Sequence, residues 1–101
     1  MPVFPVAAGI FRGSLALLVS AQGDVPSARR LLARGEEQLR GKHRLEPGKL
    51  LCKRGTIEHG AGDLHTAHTA LAEASDIVEA LGATPDFELG RAVTALQAML
   101  G

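Results

Sequence analysis

An all-α fold of two antiparallel helical hairpins followed by a fifth helix is what this 101-residue sequence predicts. Three observations carry the prediction. Apolar residues make up 46% of the chain, but most are Ala and Leu, with three Phe and no Trp or Tyr, so helix formers dominate and strand formers are scarce. Apolar residues recur at intervals of three and four over long stretches, the spacing that lines one face of a helix. A Gly-Asp pair occurs twice, at Gly23-Asp24 and Gly62-Asp63, with a period of 39 residues.

The elements follow in order. Residues 1–8, with Pro2 and Pro5, are expected as an extended arm, and the first helix covers about residues 9–22. Gly23 supplies a tight turn, and Asp24 supplies a carboxylate for the unpaired N–H groups at the next helix start. That second helix spans about residues 25–41, with Val25, Ala28, Leu31, Leu32, Gly35 and Leu39 along one stripe. Pro47 belongs in the first turn of a third helix, about residues 47–61. Gly62-Asp63 repeats the turn, and Leu64, Ala67, Leu71, Ala74, Ile77, Val78 and Leu81 form the stripe of a fourth helix that Gly82 ends. Thr84-Pro85-Asp86 is a cap, a first-turn proline and a carboxylate, and it opens a fifth helix over about residues 85–100.

The spacing is shared by the two copies beyond the turn. Ala28, Leu32 and Gly35 correspond to Ala67, Leu71 and Ala74, and upstream Ala16 corresponds to Gly55. Small residues at these offsets let two antiparallel helices approach closely, which predicts crossings of Ala16 with Ala28 and of Gly55 with Ala67. The chain is long enough for one domain and too short for two independent cores, so residues 9–101 are a single helical unit.

Net charge is zero, yet it is unevenly placed. Residues 1–54 hold ten Lys or Arg against four Asp or Glu, and residues 55–101 hold one against seven. The basic half could attract phosphates, but no aromatic residue lies among its charges from Arg29 to Arg54 to stack on a base, which leaves nucleic acid a weaker candidate than protein. Cys52 stands alone, so there is neither an internal disulfide nor a four-cysteine zinc site, as suits a reducing, cytoplasmic setting. The apolar run Ser14 to Ala21 ends like a signal-peptidase site, but the repeat register assigns these residues to the first helix. No stretch approaches the ~20 apolar residues of a membrane span.

Candidate chemistry is sparse. His59, His65 and His68 lie near Asp63, but His65 and His68 flank the stripe residue Ala67 and belong at its hydrated margin, so no metal is assigned. Cys52 and His59 stand two helical turns, about 10 Å, apart, too far to share a hydrogen bond, and this excludes a thiolate–imidazole pair. Pro47-Gly48-Lys49 lacks the upstream glycine and the Ser or Thr after the lysine that a phosphate loop requires. No acid, base and nucleophile converge, so the chain is read as no enzyme, without cofactor.

A small residue in the first helix, a Gly-Asp turn, then Ala28 or Ala67, Leu32 or Leu71, and Gly35 or Ala74 resemble the tetratricopeptide repeat. The resemblance covers residues 10–82 as two repeats, with the last helix similar to a third first-helix or a cap. The phrase LAEASDIVEALGATPD is similar to helical repeats of multidomain bacterial signalling regulators and ATPases. The period exceeds the usual ~34 residues, and Leu32, Leu71, Val19 and Glu58 occupy the family's aromatic positions. What the resemblance implies is a non-catalytic module that binds a peptide or a partner helix. It places a groove at Leu17 and Ser20, at Lys49, Cys52, Thr56 and His59, and at Glu88 and Arg91. The alternative is a structural oligomerisation segment of a larger regulator.

Self-association is expected as well. Phe87, Leu89, Val93, Leu96, Met99 and Leu100 spread over more of the last helix than a single neighbour would cover, so a homodimer through residues 85–100 is predicted.

Overall fold

The structure is a computed structural model that describes residues 5–39, 45–82 and 88–101. Five helices and no strand occur among them: α1 Pro5–Ala21, α2 Val25–Leu39, α3 Leu45–Ala61, α4 Leu64–Leu81 and α5 Glu88–Leu100. The extended arm is corrected in part, because residues 5–8 already belong to α1. Pro5 opens that helix, where its fixed φ suits the first turn and its missing N–H has no partner to lose. α3 opens two residues ahead of Pro47, which keeps the proline inside the first turn. The expected helix start at Thr84-Pro85-Asp86, and Phe87 after it, lie outside the described residues.

The two hairpin turns are built from the same hydrogen bonds. In the first, Gly23 has φ 93° and its N–H donates to the Ser20 carbonyl at 2.9 Å, while the Asp24 N–H donates to the Val19 carbonyl at 3.2 Å. In the second, Gly62 has φ 87°, its N–H donates to the His59 carbonyl at 3.2 Å, and the Asp63 N–H reaches the Glu58 carbonyl at 2.9 Å. A left-handed glycine followed by this pair of bonds closes a helix end, and the next residue caps the following helix. Asp24 accepts from the Ser27 N–H at 3.1 Å, and Asp63 accepts from the Thr66 N–H at 3.1 Å and the Thr66 hydroxyl at 2.8 Å. Hydrogen bonds from Ser27 and from Thr66 hold the two aspartates below the usual carboxylate range. Their stabilising effect is therefore present above the unfolded-state pKa and is lost as pH falls through the lowered folded-state value. Gly82, with φ 66°, ends α4 by donating to the Val78 and Glu79 carbonyls.

α3 packs against every other helix, and the first helices α1, α3 and α5 follow one another in contact. The extents of 37 × 29 × 19 Å match a slab about two helix diameters thick. Two apolar clusters lie on either side of α3. Leu50 and Ile57 join Ala16, Ala28, Leu32 and Leu39 in one, and Cys52 joins Ala74, Leu89 and Val93 in the other. An ion pair ties the hairpins together through Glu58, which is only 3% exposed. It accepts from Arg29 Nη2 at 2.7 Å and from Arg29 Nε at 3.0 Å. A buried carboxylate needs such a bidentate partner, because unpaired it would be strongly destabilising.

The glycines of α3 act differently from expectation. A Cβ on Gly55 would stand 2.6 Å from Leu96 Cδ2, and one on Gly48 would stand 2.8 Å from Leu89 Cδ2. Both neighbours belong to α5, so the closest approach at Gly55 is to the next first-helix and not to Ala67 across the hairpin. Gly48 and Gly55 are seven residues apart, as are Leu89 and Leu96, so two leucine knobs enter two glycine notches in register. Leu89 and Leu96 are 0% and 2% exposed. Burial of each leucine stabilises by about 1.5–3 kcal/mol, so the notches attach α5 to α3 while the second apolar cluster attaches it to α4.

Gly55→Leu should therefore cost about 1–3 kcal/mol in urea denaturation, since the notch and the Leu96 knob cannot both be accommodated. Gly60, also in α3, faces open space, and a Cβ there would meet nothing within 4 Å. Gly60→Ala should stabilise by about 0.4–1 kcal/mol through the unfolded chain. Equal effects at the two sites would contradict the notch.

Candidate functional site

The first helices meet along a concave edge. There a cleft of about 470 Å³ is lined by Ser14 of α1, by Lys49, Cys52, Lys53 and Thr56 of α3, and by Glu88, Ala92, Ala95, Leu96 and Met99 of α5. α3 turns two faces inward to the clusters and a third into this cleft. Lys49, Cys52, Lys53 and Thr56 reach it because spacings of three and four return to the same side of the helix. Thr56 donates its hydroxyl to the Cys52 carbonyl at 3.0 Å, which leaves its methyl group toward the lining.

Four of the eight groove residues expected from the sequence are brought together here: Lys49, Cys52, Thr56 and Glu88. Leu17, Ser20, His59 and Arg91 do not line it. Leu17 is half-buried against the first apolar cluster, and α1 presents Ser14 to the cleft instead. His59 lies toward the turn end of α3, and Arg91 is exposed on another side of α5. The lining residues that sequence reasoning does not place in the groove are Ser14, Lys53 and the α5 wall of Ala92, Ala95, Leu96 and Met99, of which it assigns Leu96 and Met99 to self-association instead. Periodicity alone marks them as one face, but only the docking of α5 on α3 turns that face into a wall.

The predicted self-association surface is corrected at three positions. Leu89, Val93 and Leu96 are 0%, 6% and 2% exposed within the single chain. Their spacings of four and three put them on one stripe, and that stripe is taken up by α3 and α4. Met99 remains 43% exposed and Leu100 is half-buried. Phe87 lies outside the described residues.

Charge in the cleft is unevenly satisfied. Lys49 Nζ donates to Glu46 Oε1 at 3.2 Å and to Glu88 Oε1 at 3.0 Å. Burial works against the Lys49 ammonium, but its hydrogen bonds to Glu88 and Glu46 outweigh that and raise its pKa above the usual lysine value. The same contact with Lys49 lowers the Glu88 carboxyl. Lys53 has no carboxylate in ion-pair contact among the described residues; burial lowers its pKa and the Lys49 charge adds to the effect, against a smaller opposing attraction from Glu46 and Glu88.

Cys52 is a buried thiol whose pKa burial pushes up to about 11. It is protonated at neutral pH and serves as a small apolar filler beneath the cleft. His65 and His68 are exposed, and no three His, Cys, Asp or Glu side chains converge on a metal position among the described residues. No helix among those residues is long and apolar enough to cross a membrane.

No protein-family model, curated protein or solved structure matches this chain. The reading of the cleft rests on its own geometry.

The thiol supplies a check on that geometry. Iodoacetamide at neutral pH should label Cys52 slowly in the folded protein and readily in urea, followed by mass spectrometry. Fast labelling without denaturant would mean that the thiol is neither buried nor raised in pKa.

Proposed function

We propose that the chain is a non-catalytic protein-interaction module, similar in plan to tetratricopeptide hairpins, whose cleft receives a peptide or a partner helix. The observation that carries this reading is the mixed lining of the cleft: an apolar wall of Ala92, Ala95, Leu96 and Met99 faces the polar positions Ser14, Lys49, Lys53 and Thr56. Apolar area gives an occupant its binding energy, and a few fixed polar groups set its orientation. All of these side chains stand on helices, and the helices are held by the glycine notches and the Arg29–Glu58 pair. The surface is thus rigid before anything binds, which lowers the entropy cost of association. The raised thiol of Cys52 gives the cleft no nucleophile at neutral pH.

Selection from a random displayed-peptide library tests the reading. Enriched peptides should bind the wild-type chain and lose at least about tenfold in affinity against Ala95→Trp, whose indole fills the cleft from an exposed helix position. Enriched peptides that bind the variant unchanged would place recognition elsewhere.

A second reading, self-association as the structural segment of a larger regulator, is favoured by Leu18, Leu64 and Leu81, which are 57%, 52% and 38% exposed. A homodimer built on such leucines would sediment as a dimer at tens of micromolar, and Leu64→Glu would return it to monomer. A monomeric wild-type chain under those conditions removes this reading.

A further inference from the structure

The cleft holds one cation that the described residues leave unsatisfied, and its surroundings state what would satisfy it. Lys53 lies across α1 at Gly13: a Cβ there would stand 3.2 Å from Lys53 Cδ and 3.3 Å from Lys53 Nζ. The missing side chain at Gly13 therefore lets the aliphatic stem lie along α1 and sets the ammonium at the α1 edge of the cleft. Leu50 Cδ1 would stand 2.8 Å from the same Cβ, so both side chains of α3 occupy the space that the glycine leaves. The neighbouring Lys49 holds Glu46 and Glu88 by direct contact, and these carboxylates reach Lys53 only through longer-range attraction, so among the described residues the Lys53 ammonium has no carboxylate in contact with it. A partly buried ammonium with three donors and no carboxylate is costly in the unbound state and rewards a ligand that brings one.

We infer that the cleft takes a partner segment that is both acidic and apolar, its carboxylate meeting the Lys53 ammonium while an adjacent apolar side chain covers Ala92, Ala95 and Met99. This rests on the reading of the cleft as the peptide-binding surface and names the chemistry of its occupant. The apolar wall supplies contact area for a side chain of Leu or Met size, since Ala92 and Ala95 leave room that larger residues would fill. The charge supplies selection. A basic segment would meet Lys53 and Lys49 together, and the one cleft carboxylate open to it, Glu88, is already shared with Lys49 at 3.0 Å. A phosphate backbone would satisfy Lys53 but leave the alanine and methionine wall uncovered, so it is the weaker occupant.

The test uses the full chain and defined fluorescent peptides of four kinds: acidic with apolar, basic with apolar, acidic alone and apolar alone. A single-stranded oligonucleotide is the fifth probe. Fluorescence anisotropy should show the acidic–apolar peptides binding most tightly, with a loss of about tenfold when their Glu is replaced by Gln or their Leu by Ala. Lys53→Met should abolish the preference for Glu over Gln, while Lys53→Arg should retain it, and circular dichroism should show both variants helical. The peptide-side Glu and Gln comparison carries the test even where a Lys53 variant unfolds. Peptides that lose affinity on Ala95→Trp but show no preference for Glu would overturn this inference and leave the cleft as a peptide site. Absence of cleft binding by all four peptide kinds would overturn both. Tighter binding of the oligonucleotide, lost on Lys53→Met, would overturn the inference in favour of a phosphate ligand.

Discussion

One helix has to touch four others, and the remainder of the structure follows from how that is possible. α3 is a cylinder with a limited circumference, and side chains of ordinary size on every face would hold its neighbours too far away for a common core. The chain resolves this with glycine. Gly48 and Gly55 give α5 two notches for Leu89 and Leu96, and Gly13 on α1 admits Leu50 from α3. Each of these sites joins one first-helix to the next, so the stack of α1, α3 and α5 is drawn together by backbone-to-side-chain contact rather than by large interlocking side chains. Glycine in a helix interior destabilises by roughly 0.5–1 kcal/mol relative to Ala. Two fully buried leucines more than offset that for α5.

Close approach also explains how a chain nearly free of aromatics builds a core. Its largest fully buried side chains are Leu32, Leu39, Ile57, Leu89 and Leu96. Between the hairpins the chain places Glu58 and closes the space with Arg29. Such a pair contributes orientation more than stability, because its attraction is spent largely on the desolvation of the carboxylate. What it sets is the rotation of α2 against α3, since a bidentate guanidinium contact tolerates little change of angle.

The same stacking makes the cleft. Its floor is α3, its walls are α1 and α5, and the wall spacing is set by glycine notches buried beneath it. Structure and recognition are coupled through the third helix: Cys52 reaches both the cleft and the second apolar cluster, and Leu96 fills a notch while also lining the wall. Affinity and stability are thus not independent at Leu96, whereas Lys53, Ala95 and Thr56 lie on the open side of α3 and α5. That division separates residues that hold the surface from residues that meet a partner.

Local chemistry made much of this legible from the sequence alone. Gly23-Asp24 and Gly62-Asp63 determine their own turns, because a left-handed glycine and a capping carboxylate act within a few residues of chain. The stripes Ala28–Leu32–Gly35–Leu39 and Ala67–Leu71–Ala74 determine which faces of α2 and α4 are buried, for the helical period is intrinsic to the backbone. Four of the eight positions that the resemblance implied for a groove, Lys49, Cys52, Thr56 and Glu88, line the cleft. The partners of those faces were decided by tertiary structure. Small residues announce close approach without saying to what, and so Gly55 opposes Leu96 of α5 and not Ala67. The leucines of α5 looked like surplus surface because no local signal told that a row of notches lay seven residues apart on α3. Lys53 was one lysine among many until Gly13, forty positions away in the chain, gave it a place to lie and the packing of α1, α3 and α5 left it without a carboxylate among the described residues.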